Sequence, residues 1–123
     1  MRPVMLLCAL VLSLILAPLD RSALAGDLAI QDVISEQIAA FQRDDGAAAW
    51  SHASPGIRTL YPTPGEFAAM VRKGYAPCYA PRHITFRELL ADNTGAPVQM
   101  VELVGPDGVG YLAHYRMERQ ADG

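Results

Sequence analysis

The stretch Val98–Arg119, VQMVELVGPDGVGYLAHYRMER, decides the fold that the sequence predicts. Its two halves alternate between apolar and polar residues, which is the period of a strand with one buried face. The Pro-Asp-Gly at 106–108 fits a type I turn with glycine in the left-handed conformation. This turn would place Leu103 opposite Tyr111. We therefore predict a hairpin of two antiparallel strands.

A further strand is predicted before this hairpin. It begins at Ile84–Arg87, and Asn-Thr-Gly at 93–95 forms a turn into the next strand. A mostly polar outer face and an apolar inner face are typical of an antiparallel sheet with helices packed on one side. The predicted inner face consists of Val101, Leu103, Tyr111, Ala113, Tyr115 and Met117, with Val101 opposite Ala113.

Two helices are predicted at the start of the domain. Ile30–Arg43 carries apolar residues at helical spacing, which predicts a helix with one buried face that includes Phe41. A short helix with Trp50 in the core follows, with Asp44 or Asp45 as its cap. We expect the Ser-Pro-Gly at 54–56 to stop this second helix.

A third helix and a connector lead from these helices to the sheet. Thr63 is the predicted cap of the helix, and Glu66 stands three residues later, as a capping box requires. In the connector Gly74–Arg82, two Tyr-x-Pro units favour extended backbone. Its tyrosines either cover the edge of the core, which we favour, or form a contact strip for a partner.

Residues 1–25 have the pattern of a secretory signal. Arg2 supplies the positive start, Met5–Ala17 is an unbroken apolar run, and Ala-Leu-Ala at 23–25 is a small-x-small cleavage site. The run is shorter than the roughly 20 residues that span a membrane, although an uncleaved anchor is the alternative. We predict one domain, Gly26–Gly123, that is periplasmic or secreted and not attached to the membrane after cleavage.

The charge of the domain restricts its partners. The formal net charge of −3 becomes one unit more negative when Arg2, Arg21 and Asp20 are removed with the signal. An acidic chain without Lys/Arg clusters argues against nucleic acid and anionic membranes as partners. Cys78 is the only thiol that remains, so an internal disulfide is excluded for the cleaved chain.

The C-terminal strand is expected to lack a neighbour. Tyr111–Met117 has an apolar face dense enough for an interior strand, and Asp122-Gly123 is a turn signal that precedes no further strand. We expect the last strand of the sheet to be missing from this chain. An unpaired edge of this kind invites a homodimer through the sheet edge.

Three stretches closely resemble the family called domain of unknown function 4864. They are IQDVISEQIAAFQRDDGAAAWSHASPGIR, TPGEFAAMVRKGYAPCYAPR and YRMERQADG, and the resemblance covers roughly residues 30–123. It implies a nuclear transport factor 2-like, or cystatin-like, fold, with N-terminal helices on one face of a curved antiparallel sheet. It also implies a bacterial exported or membrane-associated setting and a further strand after the final Asp-Gly. The resemblance implies no catalytic residue.

Glu88, Tyr111 and Tyr115 are the candidate catalytic residues. An isomerase or lyase in such a fold needs a carboxylate base in an apolar cavity and a hydroxyl that holds the oxyanion. Glu88 is in register with the inward Ile84, and the tyrosines lie on the predicted inner face. The alternative, which we favour, is a strand that bulges or ends near Glu88, with tyrosines that only pack.

The histidines and Cys78 do not form a recognisable site. His52, His83 and His114 are too far apart in sequence for the spacing of metal ligands, so we predict no metal and no cofactor. Arg82 follows Cys78 by four residues and can lower a thiol pKa, but small apolar packing is the favoured role for Cys78.

The sequence favours a non-enzymatic module that binds a small apolar ligand or a protein partner. The ligand would lie in the cavity between helices and sheet, and the alternative function is an isomerase or lyase that uses the same cavity. A protein partner would bind the sheet face or the connector. The sequence identifies neither the ligand nor the partner.

Overall fold

The protein folds as helices followed by an antiparallel sheet, an α+β arrangement. The computed structural model describes the backbone of residues 4–12 and 20–119 and the side chains of residues 26–119. The helices are α1 (Asp20–Gln42), α2 (Gly46–Ser51), α3 (Pro55–Leu60), α4 (Pro64–Gly74) and α5 (Ala76–Tyr79). The strands are β1 (Val4–Leu12), β2 (His83–Ala91), β3 (Pro97–Val104) and β4 (Gly110–Arg119).

The predicted hairpin is confirmed in its register. β3 and β4 are antiparallel with Leu103 opposite Tyr111 and Val101 opposite Ala113. Gly108 has a φ of 79°, and its N–H donates to the carbonyl of Gly105 over 2.9 Å, which closes the turn. β2 pairs antiparallel with the other side of β3. The strand order is β1-β4-β3-β2, so β4 is an interior strand of the described sheet.

The strand beside β4 is not the one that the sequence predicts. β1, from the apolar run of the predicted signal, runs parallel to β4 from Val4 opposite Tyr111 to Leu12 opposite Arg119. The expectation of a wholly antiparallel sheet is therefore wrong where β1 joins it. The predicted turn at 122–123 lies outside the described residues. β4 does have a strand on its second side, as its apolar face predicts, but that strand comes from the N-terminus.

The core lies between α1 and the inner face of the sheet. α1 is longer than predicted, and its backbone includes the predicted cleavage site at 23–25. The side chains that form the described core all come from residues 30–117. The largest of them are Ile30, Ile34, Ile38, Phe41, Phe67, Val71, Val101, Leu103, Tyr115 and Met117.

The helix caps confirm two predictions and correct one. Asp45 accepts from the N–H of Ala48 over 3.1 Å at the start of α2. Thr63 accepts from the N–H of Glu66 over 3.2 Å at the start of α4. Ser54 was expected to stop a helix, but it caps the next one, α3. A serine before a proline suits a helix start as well as a stop, because proline at the first turn needs no hydrogen-bond acceptor.

The connector is partly helical rather than extended. Ala76–Tyr79 forms the one-turn helix α5, with Pro77 in its first turn. Proline fixes a φ that also suits a helix start, and this is the reason why the extended prediction was wrong. Tyr75 and Tyr79 pack against the core, as the favoured interpretation of the connector predicts, and Cys78 is buried between them.

Candidate functional site

The structure places Glu88 away from the core. The pairing of β2 with β3 shifts between Phe86 and Leu89, which confirms the predicted bulge. The bulge breaks the alternation of faces, and the side chain of Glu88 is exposed. Arg87 beside it lies 3.3 Å from Glu102 on the neighbouring strand. Glu88 therefore has solvent around it rather than an apolar cavity.

The bulge is held by a residue that the sequence analysis did not identify. Gln99 is only 1% exposed, and its Nε2 donates to the carbonyls of Arg87 and Met100, each over 2.9 Å. A longer contact of 3.4 Å reaches the carbonyl of Glu88. A glutamine on the apolar face of a predicted strand was the available signal, because a buried amide must find partners.

The two candidate tyrosines have different surroundings. The Tyr111 hydroxyl donates to Oδ2 of Asp107 over 2.6 Å, and this bond raises the pKa of Tyr111 and lowers that of Asp107. Tyr115 is 0% exposed within the core. Val101, Leu103, Ala113 and Met117 around it on the inner face are equally buried. These buried side chains pack together on the inner face of the sheet, where the sequence predicts a cavity between helices and sheet.

The histidines are dispersed over the molecule. Nε2 of His52 lies 3.5 Å from Oε2 of Glu36, His83 is exposed, and His114 is half-buried on the outer face of β4. Among the described residues, no three His, Cys, Asp or Glu side chains are grouped so that they could hold a metal ion. Cys78 is 2% exposed, which fits the packing role predicted for it.

Among the described side chains, a groove on the helical layer is a candidate binding site. It has a volume of about 520 Å³, within the range of small-molecule sites in proteins. The end of α1, α2, α4 and α5 surround it. The lining residues are Asp44, Gly46, Ala47, Pro64, Gly65, Ala68, Ala69, Arg72 and Tyr79. Asp44, Arg72 and Tyr79 have polar or charged groups, and the other six residues are glycine, alanine or proline.

Asp44 enters the groove from an unusual backbone conformation. Its N–H donates to the carbonyl of Phe41, and the N–H of Asp45 donates to the carbonyl of Ala40, which is the Schellman pattern at the end of α1. Asp44 occupies the left-handed position of this motif with a φ of 57°, where glycine is the usual residue. It is the one non-glycine residue with positive φ in the described backbone.

Tyr79 and Arg72 complete the polar side of the groove. The Tyr79 hydroxyl donates to Oδ1 of Asp44 over 3.0 Å. That hydrogen bond is the main reason why the pKa of Tyr79 is raised, since it stabilises the protonated phenol. The Tyr79 ring packs 5.1 Å from the ring of Phe41 in the core, and the Arg72 guanidinium lies 5.9 Å from the Tyr79 centroid. Tyr79 is therefore anchored between the core and two charged groups.

The two charges of the groove are not neutralised by each other. In the part of the chain that the structure describes, Asp44 and Arg72 do not form a salt bridge. Both side chains are exposed, so each can exchange water for a ligand group. A separated carboxylate and guanidinium on one groove suit a ligand that carries both a positive and a negative group.

The floor of the groove depends on close packing of α2 on α4. A Cβ on Gly46 would lie 3.4 Å from Ala68 Cβ and 3.4 Å from the Pro64 carbonyl oxygen. Small residues at these positions bring the two helices together and leave space above them. The sequence pattern indicates Asp44 only as a possible cap and Tyr79 only as cover for the core, and it does not indicate the site, because the groove residues come from four separate segments.

The chain has the layout of a small α+β domain with an open sheet. It belongs to the family described as domain of unknown function (DUF4864), whose model matches residues 23–123. No curated protein and no solved structure matches the chain significantly. The family is therefore as the sequence analysis predicted, and the relation to the cystatin-like or nuclear transport factor 2-like fold stays a prediction. Over the described residues, every helix is too short or too polar to cross a membrane.

Proposed function

We propose that the protein is an exported, non-enzymatic module that binds a small zwitterionic ligand, such as an amino acid or a short peptide, in the groove of Asp44, Arg72 and Tyr79. The observation that carries the proposal is a carboxylate, Asp44, and a guanidinium, Arg72, that line one groove of about 520 Å³ and form no salt bridge with each other among the described residues. Export is supported by the apolar run Met5–Ala17 and the small residues at 23–25.

Each group of the ligand has a counterpart in the groove. The ammonium group would donate to Asp44, whose Oδ1 already accepts from Tyr79 while its second oxygen has lone pairs to offer. The carboxylate would bind the Arg72 guanidinium, whose planar fork can donate two parallel hydrogen bonds. The small residues of the groove allow the body of the ligand to lie against the backbone of α2 and α4.

The conformation of Asp44 supports a role in binding. A left-handed aspartate costs free energy that glycine would avoid, and such positions cluster at ligand sites. The hydrogen bond from Tyr79, itself packed on Phe41, holds the carboxylate in place before a ligand arrives. A group that is already oriented loses less conformational entropy when it binds.

The alternative isomerase or lyase has less support. Its base would be Glu88, which is exposed on a bulge, and its donors would be Tyr111, bonded to Asp107, and the buried Tyr115. An exposed carboxylate lacks the apolar surroundings that a base in such a site requires. A small apolar ligand between helices and sheet would have to compete with the buried core side chains there.

The binding site can be tested with a dipeptide whose charges are blocked one at a time. We expect Ala-Ala to shift the amide NMR signals of Gly46, Ala47 and Gly65 in the protein 26–123. N-acetyl-Ala-Ala and Ala-Ala-amide should each bind more weakly, since each has lost one of the two charges. Shifts spread evenly over the surface, or equal binding of the blocked peptides, would contradict the proposed site.

Two matched variants distinguish binding in the groove from attraction of the peptide by the net charge of the protein. Arg72→Gln should weaken binding of Ala-Ala at least about tenfold, the loss expected for one charge-assisted hydrogen bond of about 1.5 kcal/mol. Lys73→Gln, on the same helix but outside the groove lining, should leave the affinity unchanged. An equal effect of the two variants would mean that net charge, and not the groove, attracts the peptide.

Export has a separate test. N-terminal sequencing of protein from the periplasmic fraction should begin at Gly26, because cleavage follows Ala25. Recovery of protein that begins at Met1 in the membrane fraction would show that the apolar run is an anchor.

A further inference from the structure

The backbone edge of β4 that faces away from β3 pairs with β1 along nearly its whole length. All nine residues of β1 pair with β4, from Tyr111 to Arg119, without a register shift. On its other side β4 pairs with β3, also without a shift. β1 belongs to the segment that the proposed cleavage after Ala25 removes. If it is removed, the backbone donors and acceptors of β4 that point toward β1 lose their partners, while those that point the other way remain paired with β3.

The two edges of the sheet differ in how they resist pairing. β2, at the opposite edge, carries the bulge between Phe86 and Leu89 and exposes Arg87 and Glu88 there. Bulges and charges are the usual means by which an edge strand avoids joining another chain. β4 has neither a bulge nor a proline between Gly110 and Arg119, and its charged residues, Arg116, Glu118 and Arg119, all lie in its C-terminal half. Its edge is therefore suited to accept a strand.

We propose that cleavage of residues 1–25 opens this edge and that β4 of a second copy of the chain occupies it. The inference rests on the export that is part of the proposed function. Antiparallel pairing about Tyr115 aligns all nine residues from Tyr111 to Arg119, as many as β1 pairs. In this register the small Ala113 faces Met117 of the copy, and His114 faces Arg116.

His114 favours a second copy over an apolar strand. Its Nε2 is shielded from solvent and has no hydrogen-bond partner in the part of the chain that the structure describes. The residue opposite it on β1 is Leu7, whose side chain has no hydrogen-bonding group. A shielded nitrogen without a partner is costly. In the proposed dimer, Arg116 of the copy would face His114 with guanidinium N–H donors.

Arg116 can serve both its present partners and the copy. Its Nε donates to Oδ2 of Asp92 over 2.8 Å, and Nη2 lies 3.4 Å from Oγ1 of Thr94. The guanidinium carries five N–H groups, so donors remain for His114 of the second chain. The contact repeats by symmetry, since a two-fold axis pairs each His114 with the other Arg116.

The oligomeric state of residues 26–123, produced without the leader, tests this inference independently of export. A circular dichroism spectrum and a cooperative denaturation transition first establish that this segment is folded. Light scattering after size-exclusion chromatography should give the mass of a dimer that dissociates on dilution. A monomer at every concentration, with a cooperative unfolding transition, would overturn the proposal even if export is confirmed.

Variants of His114 identify the interface. His114→Lys places two like-charge pairs across the two-fold axis and should raise the dimer dissociation constant by roughly tenfold. His114→Gln retains a hydrogen-bond acceptor for Arg116 of the copy and should leave the dimer intact. A circular dichroism spectrum and a denaturation curve show whether each monomer is folded. If a folded His114→Lys protein dimerises as tightly as the unaltered chain, β4 is not the interface.

Discussion

Gln99 is the residue whose replacement most directly tests the account of the bulge in β2. Its amide donates to two backbone carbonyls at 2.9 Å and contacts a third at 3.4 Å. We consider Gln99→Leu, which keeps a side chain of similar volume but removes the donors. The carbonyls of Arg87 and Glu88, released from pairing by the bulge, would then lose the side-chain N–H that reaches them.

The expected loss follows from these contacts. Two hydrogen bonds of good length contribute about 1 kcal/mol each, and a carbonyl left buried without a partner costs about 1–3 kcal/mol. Leucine is more favourably buried than an amide, which offsets roughly 1 kcal/mol. We expect Gln99→Leu to lower the free energy of unfolding by about 2–4 kcal/mol. Urea denaturation followed by circular dichroism measures this as a lower midpoint with an unchanged slope.

Gln37 offers a matched control for the same substitution. It is buried to 3% exposure, but its amide makes one hydrogen bond, of 3.2 Å, to the carbonyl of Ala49. Gln37→Leu should cost no more than about 1 kcal/mol, because only one bond is lost. If the two variants lose equal stability, or if Gln99→Leu is more stable than the original, the bulge does not depend on Gln99.

Three further predictions concern single contacts. Thr63→Ala should lower the free energy of unfolding by about 1 kcal/mol, because the N–H of Glu66 loses its cap, and an unchanged urea midpoint would contradict this. Trp50→Ala should cost about 2 kcal/mol, less than for a fully buried tryptophan, because Trp50 is half-buried and loses the 2.8 Å bond to the Tyr61 carbonyl; iodide quenching of its fluorescence as strong as in a free peptide would refute that burial. Hydrogen bonds from Thr94 and then Arg116 lower the pKa of Asp92, so Asp92 stabilises the fold above its unfolded pKa of about 3.9 and loses this contribution as the pH falls below it. Asp92→Asn should therefore flatten the acid limb of the stability–pH curve, and an unaltered limb would show that other carboxyl groups produce it.

Local patterns were sufficient to predict the hairpin and two of the caps. The alternation in Val98–Arg119 and the Pro-Asp-Gly turn determine which residues face each other, because the side-chain period of a strand is two. Thr63 and Asp45 act within their own helical turn. Such features depend on residues a few positions apart, so the sequence predicted them without knowledge of the rest of the fold.

The candidate site could not be predicted in the same way. The search for an acid on a strand led to Glu88, which the bulge leaves exposed. Asp44 and Tyr79 are 35 positions apart in the chain, and their hydrogen bond forms only because α5 packs against the end of α1. Neither residue belongs to a recognisable motif, and the left-handed conformation of Asp44 is visible only in the backbone.

The sequence by itself determined the α+β class, the membership of the family and the inner face of the sheet. Hydrophobic period, turn residues and caps act locally, and they restrict each segment to one type of structure. Tertiary packing decided which strand lies beside β4, how the bulge is satisfied and where the groove opens. These features bring together residues that are distant in the chain. Strand pairing uses backbone hydrogen bonds that nearly every residue can form, so the sequence does not specify the partner. The groove and the bulge depend on contacts that exist only once helices and sheet have packed. The apolar face of β4 predicted a strand on each of its sides, but only the three-dimensional structure showed that the second strand is β1.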